Sequence, residues 1–226
     1  MGLLDGKAVI VTGAGAGLGR AYAVHAATEG ARVVINDVTA DRLAEVAAEI
    51  STLGGQVVSC PGSVAEWTVA TGLVETCRAM FGSVDGLVNN AGVIRIEDAW
   101  NAEEAGIRAM VEVNLMGAAF VGASALRVMV EQGSGAIVNA TSSAQMGLPQ
   151  MSVYGATKGA LASLTYGWAL DTQALGIRVN AYAPVAWTAM VAGSAVAPAQ
   201  LPTTEDNAPV VTYLLSDRAA GITGQV

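Results

Sequence analysis

Cysteine and histidine are scarce in this chain, and their scarcity excludes two kinds of site. There is one histidine, and the two cysteines, Cys60 and Cys77, lie too far from it and from each other for zinc-site spacing. So few cysteines fit a reducing compartment better than a disulfide-stapled secreted domain. We therefore expect no metal site, and two free thiols that behave as small buried side chains.

Charge is also sparse, and basic residues are the minority. Charged residues make up 13% of the chain, with 11 Lys and Arg against 19 Asp and Glu. The formal net charge of −8 argues against nucleic acid or an anionic membrane as a partner. Because hydrophobic residues reach 53%, we expect more apolar surface than one subunit's core needs, and hence a homo-oligomer.

Long apolar runs and targeting signals are lacking as well. No uninterrupted apolar stretch reaches the ~18 residues needed to span a bilayer. The opening Met-Gly-Leu-Leu-Asp-Gly-Lys has neither the charged nor the apolar region of a secretory signal. We therefore expect a cytoplasmic protein. A length of 226 residues suits one large α/β domain, 1–226, and is too short for two ordinary ones.

Short β-branched runs alternate with helical patterns along the whole chain. Strands are predicted at 7–12, 32–36, 56–59, 86–89, 136–140 and 177–181. Helices are predicted up to about residue 29 and at 41–53, 67–81, 101–132, 152–175 and 205–216. Asn101, with Glu104 three residues on, indicates an approximate capping box. This alternation predicts an α/β fold with a doubly wound parallel sheet of the Rossmann type.

A glycine-rich turn follows the first predicted strand and begins the first helix. Gly13, Gly17 and Gly19 are spaced as G-x-x-x-G-x-G, which differs from the strict dinucleotide fingerprint. Glycines let the backbone approach phosphates, and the helix N–H groups face the negative charge. A turn of this kind can also be a tight packing corner, but its place between a strand and a helix favours nucleotide binding.

Asp37, at the end of the second predicted strand, indicates which nucleotide. Its carboxylate can accept hydrogen bonds from the adenosine ribose hydroxyls and would repel a 2′-phosphate. No Arg or Lys stands at 14–16 or 38–40 to balance that phosphate. The sequence therefore favours NAD over NADP as the cofactor.

Tyr154 and Lys158 begin the predicted helix 152–175 and share one of its faces, being four residues apart. The unperturbed pKa of tyrosine, about 10, is too high for proton transfer near neutrality. A cation roughly 4 Å away would favour the phenolate by about 4 kcal/mol at an effective dielectric near 20. We therefore expect Lys158 to lower the pKa of Tyr154 into the range useful for acid–base catalysis. Tyr and Lys also fall at this spacing by chance on many helices.

In their order and spacing, these residues resemble the short-chain dehydrogenase/reductase family, in its single-domain NAD-dependent branch, over nearly the whole chain. The matching motifs are Thr12-Gly13-x-x-x-Gly17-x-Gly19, Asn89-Asn90-Ala91-Gly92, Asn114, Ser142, Tyr154-x-x-x-Lys158, Asn180 and Pro184-x-x-x-Thr188. Each motif alone is weakly specific, whereas the set is highly specific.

The resemblance implies that Tyr154 exchanges a proton with the substrate oxygen while hydride moves to or from the nicotinamide. Lys158 would hold the nicotinamide ribose, Ser142 would hydrogen-bond the substrate oxygen, and Asn114 would support a water. Strand alignment favours Ser142, but the loop length before Tyr154 leaves Ser143 open. The implied cofactor-binding residues are Gly13, Gly17, Leu18, Gly19, Asp37, Ser63, Val64, Asn90, Ala91, Gly92, Tyr154, Lys158, Pro184, Val185 and Thr188.

Three departures from the family pattern bear on these implications. Ser63-Val64 stands where the family usually has Asp-Val near the adenine. Pro184-Val185 replaces Pro-Gly beside the nicotinamide. The sequence ends at Gly224-Gln225-Val226, where the family continues through a seventh strand, so we expect a shortened C-terminal end.

The sequence therefore predicts an oxidoreductase that transfers a hydride between NAD(H) and an apolar secondary alcohol or ketone of terpenoid, steroid or acyl-chain type. The loops expected around Tyr154 carry Ile94, Met146, Leu148, Met151, Trp187 and Met190, with Arg95 as the nearby cation. Two alternatives stay open: a non-catalytic NAD-binding sensor, and an NAD-retaining epimerase or dehydratase. Chains of the latter kind usually carry a larger C-terminal substrate domain.

Small residues recur on two predicted helices. In the resembling family these two helices meet a partner subunit's pair in a four-helix interface, which implies a homodimer or homotetramer. The small residues are Ala118, Ala119, Gly122 and Ala123 on the first helix, and Ala156, Gly159, Ala160 and Ser163 on the second.

Overall fold

The computed structural model describes residues 2–186 and 201–226, which contain a six-stranded sheet flanked by helices. The strands are β1 (Ala8–Thr12), β2 (Arg32–Asp37), β3 (Gln56–Pro61), β4 (Gly86–Asn89), β5 (Gly135–Ala140) and β6 (Ile177–Tyr182). The helices are α1 (Gly17–Thr28), α2 (Ala40–Thr52), α3 (Trp67–Phe81), α4 (Glu104–Met110), α5 (Ala118–Gln132), α6 (Ser152–Thr172) and α7 (Thr204–Leu215).

All neighbouring strands are parallel, in the order β3-β2-β1-β4-β5-β6. Val9 of β1 pairs with Val33 on one side and with Gly86 on the other, so the strand order reverses at β1. Ligands of such sheets bind beyond the carboxyl ends of the strands at this reversal. The predicted doubly wound parallel sheet is confirmed.

Both faces of the sheet are covered, which explains the continuous apolar strands in the sequence. Every residue of β1 is buried. Val9 and Val11 pack toward α1, α2 and α7, whereas Ala8 and Ile10 pack toward α3 and α5. Cys77 belongs to the second cluster, and burial raises the pKa of its thiol to about 12.

The predicted helix 101–132 is divided. Asn101 ends a short turn, and α4 begins only at Glu104, without a side-chain cap, so the predicted capping box is wrong. Between α4 and α5, Val111–Gly117 winds as a π-helix. Such turns interrupt the regular hydrogen bonding of a helix and occur often at functional sites.

The run from α4 to the end of α5, Glu104–Gln132, is long and apolar enough by composition to cross a membrane. In its most apolar window 44% of the residues are buried inside the fold. Its buried side chains pack with α3 and the sheet, as those of a core helix do.

The last residues lie along the outer edge of β6. The Gly224 N–H donates to the Val179 carbonyl at 2.8 Å, and the Ala181 N–H donates to Gln225 O at 2.7 Å. The Asn180 side chain holds this tail through the Ile222 carbonyl and the Gln225 N–H. Asn180 therefore has a structural task at the sheet edge.

Candidate active site

The glycine-rich turn leaves the carboxyl end of β1 and starts α1. Gly13 and Gly17 adopt positive φ angles of 64° and 55°, which favour glycine. A Cβ at Gly19 would lie 2.0 Å from the Gly13 carbonyl oxygen, so no side chain fits there. The Asn90 amide closes the turn by donating to Thr12 O at 3.1 Å and Gly13 O at 3.2 Å.

A cavity of about 420 Å³ opens beside this turn. No side chain caps the first turn of α1, so its N–H groups are free to face a negative charge. The predicted cofactor residues that line the cavity are Gly13, Gly17, Leu18, Gly19, Asp37, Ser63, Val64, Asn90, Ala91 and Gly92.

Asp37 is held rigidly at the end of β2. Its carboxylate accepts hydrogen bonds from the Gly15 N–H at 3.1 Å and from the Thr39 N–H at 3.0 Å. Arg42, on α2, lines the same cavity. Arg42 stands outside positions 14–16 and 38–40, and the first turn of α2 brings this cation back to the site from five positions beyond Asp37.

Ser63 lines the opposite wall of this cavity. Its hydroxyl accepts a hydrogen bond from the Ala65 N–H at 3.3 Å and so shapes the loop after β3. The neighbouring Val64 is buried against Gly117, where a Cβ would approach a Val64 methyl to 2.5 Å. Close packing with the π-helical turn thus fixes this wall.

The residues expected to be catalytic meet at the start of α6. Tyr154 and Lys158 are 8% and 4% exposed. The Ser142 hydroxyl accepts a hydrogen bond from the Ala144 N–H at 3.2 Å and lies near enough to the Tyr154 phenol to lower its pKa, whereas Ser143 is exposed. The Lys158 ammonium donates to the Ala140 carbonyl at 2.6 Å and lies 5.7 Å from the Tyr154 ring centroid.

The pKa values differ from the expectation for Tyr154. Burial, only partly offset by the hydrogen bond with Ser142, raises the pKa of Tyr154 rather than lowering it. Burial also lowers the pKa of Lys158 to about 8. The expected lowering of the Tyr154 pKa by Lys158 is therefore wrong for this arrangement, because desolvation of the phenolate is the largest effect.

Asn114 ties the π-helical turn to two neighbouring elements. It is fully buried; its Oδ1 accepts from the Val93 N–H at 2.7 Å, and its Nδ2 donates to Val93 O and Thr157 Oγ1. A Cβ at Gly92 would lie 3.3 Å from Asn114 Oδ1 and 3.7 Å from Lys158 Nζ. Gly92 therefore lies between the cavity and the Asn114 and Lys158 side chains.

Only some of the apolar loop residues expected around Tyr154 pack near it. Ile94 and Met151 contact the buried cluster that contains Tyr154, whereas Met146 and Leu148 are exposed. Arg95 is exposed, and its aliphatic stem lies against Gly106 of α4. Thr188, Trp187 and Met190 lie outside the described residues. Within 2–186 and 201–226, no group of three His, Cys, Asp or Glu could hold a metal ion.

The lowered pKa of Lys158 predicts that the stability of the protein depends on pH. The folded state must bury an ammonium below about pH 8, at a cost on the order of 3 kcal/mol for the shift from 10.5. Between those pKa values the unfolded chain binds the extra proton, so wild-type stability should rise with pH. Lys158→Met has no titrating group at this position, so its stability should not show this rise with pH.

Urea unfolding of wild type and Lys158→Met measures the difference. The advantage of the variant should be largest below about pH 8 and shrink by about 3 kcal/mol toward pH ~10.5. A difference that does not vary with pH would contradict the burial of a charged Lys158.

Comparisons with known proteins give matches over nearly the whole chain. The model of the short chain dehydrogenase family matches residues 7–197. A 2-(S)-hydroxypropyl-CoM dehydrogenase of Xanthobacter autotrophicus is 37% identical, over 98% of this chain and 94% of the relative. A cis-4-hydroxycyclohexanecarboxylate dehydrogenase of Sinomonas cyclohexanicum is 36% identical, over 97% and 93%. The crystal structure of an NAD⁺-bound xylitol dehydrogenase has a TM-score of 0.91 at 28% identity, over 98% and 96%.

Proposed function

Because this chain belongs to the short-chain dehydrogenase/reductase family of oxidoreductases, we propose that it transfers a hydride between NAD(H) and an apolar secondary alcohol or ketone. The observation that carries the proposal is the meeting of Ser142, Tyr154 and Lys158 beside a cavity whose glycine turn admits no side chain. NAD, when bound, would supply the hydride acceptor or donor.

The residues of the cavity fit a dinucleotide. The free N–H groups at the start of α1 suit a pyrophosphate, and the fixed Asp37 carboxylate suits ribose hydroxyls. Pro184 and Val185 follow β6, whose end pairs with β5, and so lie at the same edge of the sheet. We assign them to the nicotinamide side, as the family resemblance implies.

Proton transfer falls to Tyr154. Its hydroxyl gives a proton to a substrate carbonyl, or takes one from an alcohol, while Ser142 orients the substrate oxygen. Lys158 supplies a positive charge 5.7 Å from the centroid of the tyrosine ring. Because burial raises the Tyr154 pKa, the hydroxyl keeps its proton near neutrality and can donate it to a substrate carbonyl.

We propose that the substrate is uncharged around the reacting carbon. Ile94, Met110 and Met151 surround Tyr154, and the neighbouring Arg95 is exposed. A carboxylate brought into this apolar cluster without a partner would cost several kcal/mol. The Sinomonas relative acts on a carboxylate-bearing cyclohexanol, so a matched pair of substrates decides the question.

The test compares kcat/KM for 4-methylcyclohexanol and cis-4-hydroxycyclohexanecarboxylate, which differ only in the charged group. Lactate and 3-hydroxybutyrate serve as small acids. We expect the uncharged alcohol to be favoured by at least about tenfold. A preference for the acids would show that Ile94 and Met151 do not line the substrate site.

Cofactor preference is a separate expectation. We expect NAD(H) to bind at least about tenfold more tightly than NADP(H), a difference of roughly 1.4 kcal/mol, because Asp37 repels a 2′-phosphate. Arg42 opposes this preference from the same cavity wall. Arg42→Ala should therefore weaken the binding of NADP(H) more than that of NAD(H). Asp37→Asn should reduce the difference in affinity between NAD(H) and NADP(H). Calorimetric titration of both nucleotides measures this, and equal wild-type affinities would contradict it.

We propose a homodimer or homotetramer formed through α5 and α6. Ala156 and Ser163 are exposed on α6, near the exposed Leu170. Gly122, one of the predicted interface residues, is small because of packing within the subunit. A Cβ there would lie 2.3 Å from the Trp168 ring of α6. The other small residues stay candidates for close approach of a second subunit.

Light scattering at micromolar concentration should show a dimer or tetramer for wild type. Ser163→Arg should shift it to monomer, because a long charged side chain blocks close helix approach. Ser51→Arg, an exposed serine on α2, is the matched control and should leave assembly unchanged. A monomeric wild type would reject the proposal.

A further inference from the structure

One buried side chain, Asn207 on α7, joins three separate segments at the end of β6. It is 3% exposed. Its Oδ1 accepts a hydrogen bond from the Tyr182 hydroxyl at 2.8 Å. Its Nδ2 donates to the Val185 carbonyl at 3.0 Å and to the Thr203 carbonyl at 2.8 Å. Both amide protons and the amide oxygen are therefore in use.

The backbone at 183–186 depends on this side chain. Within 2–186 and 201–226, the bond from Asn207 to the Val185 carbonyl is the hydrogen bond that reaches this backbone. Tyr182, just before it, is already fixed in β6, where its carbonyl accepts from the Thr141 N–H. The turn is thus anchored at its start by the strand and at Val185 by Asn207.

The valine at position 185 adds to the importance of the hydrogen bond between Asn207 and the Val185 carbonyl. Val185 is 55% exposed and carries a side chain where the resembling family has glycine. A small shift of its backbone would move this side chain into or out of the space beside the nicotinamide.

We propose that Asn207 is a positioning residue for the nicotinamide half of the cofactor, acting through the Val185 carbonyl. This inference rests on the proposed function, which assigns Pro184 and Val185 to the nicotinamide side. Tyr182 has a secondary part, because its hydroxyl holds the Asn207 amide in the orientation that points both N–H groups at carbonyls. Asp37 and the α1 turn, which we assign to the adenosine half, are not among the hydrogen-bond partners of Asn207 within 2–186 and 201–226.

The position of Asn207 predicts a split between two ligands. Asn207→Leu keeps the size of the side chain and removes all three hydrogen bonds. We expect its Kd for NADH to rise about tenfold, the equivalent of one hydrogen bond of roughly 1.4 kcal/mol. Its Kd for ADP-ribose, which lacks the nicotinamide, should stay within about twofold of wild type. Tyr182→Phe should show the same split with a smaller rise, about threefold.

Thr203→Ala is the matched control for stability. Thr203 caps α7 through its hydroxyl, which accepts from the Asp206 N–H at 3.2 Å, so its loss destabilises the same helix end. The Thr203 carbonyl and the Asn207 bonds remain. This variant should lower the Tm and leave both Kd values unchanged.

Calorimetric titration of NADH and ADP-ribose against the four proteins tests the proposal. Unchanged NADH affinity in Asn207→Leu, or equal losses for both ligands, would overturn it. Tyr182→Phe gives the same test if Asn207→Leu does not fold. A folded wild type that binds neither ligand would instead overturn the proposed function.

Discussion

Tyr154→Phe should lower kcat by about a thousandfold, within the range of a hundredfold to ten-thousandfold expected when a general acid–base group is lost. The variant keeps the aromatic ring packed against Met110 and Ala144 and removes only the hydroxyl. The cofactor cavity is lined by other residues, so the Kd for NADH should change by less than about threefold.

Tyr166→Phe is the matched control for this substitution. Tyr166 lies on the same helix and is 50% exposed, so its hydroxyl has no place in the site, and kcat should be unchanged. Steady-state kinetics with any accepted substrate measures both variants. A Tyr154→Phe enzyme with nearly normal kcat would remove Tyr154 from the mechanism.

Gly19→Ala should abolish cofactor binding, with at least about a hundredfold rise in the Kd for NADH. The added Cβ would lie 2.0 Å from the Gly13 carbonyl oxygen and 2.6 Å from the Asn90 amide nitrogen. The Gly13 carbonyl belongs to the turn and the Asn90 amide, from the loop after β4, closes it, so the turn must open to admit a methyl group. The N–H groups that face the pyrophosphate would then lose their arrangement.

Gly72→Ala separates this effect from the general effect of adding a methyl group to a helix. Gly72 lies inside α3 with open space where its Cβ would be. Alanine there should stabilise the helix by up to about 1 kcal/mol and leave the Kd for NADH unchanged. Normal NADH binding by a folded Gly19→Ala would show that the cavity beside α1 is not the cofactor site.

The fold was predictable because its sequence signals are local and repeated. Each buried strand reads as a short β-branched run, and glycines such as Gly82 and Gly133 end the helices before β4 and β5 with positive φ angles. The division of 101–132 was not predictable in this way. Val111–Gly117 is as apolar as a regular helical segment, and its π-helical winding accompanies the tertiary hydrogen bonds of Asn114.

The positions of the predicted site residues followed from motifs, whereas their electrostatics did not. Spacing places Tyr154 and Lys158 on one face, but burial, which sets their pKa values, is a property of the whole fold. Arg42 had no sequence signal at this site, because the turn of α2, and not its position next to Asp37 in the chain, brings it to the cavity. Asn207 had no sequence signal either, since its three partners come from β6, the turn after it and the start of α7.

The most direct test of hydride transfer follows a deuterium label. The wild-type protein is mixed with an apolar cyclic ketone and with NADH that carries deuterium at the reactive nicotinamide carbon, and the alcohol product is examined by mass spectrometry. We expect one deuterium on the carbinol carbon of the product from one face of the nicotinamide, and none with Tyr154→Phe over the same time. The account would be contradicted if no ketone in a panel of secondary ketones led to NADH consumption, or if the product lacked the label with deuterium on either face of the nicotinamide.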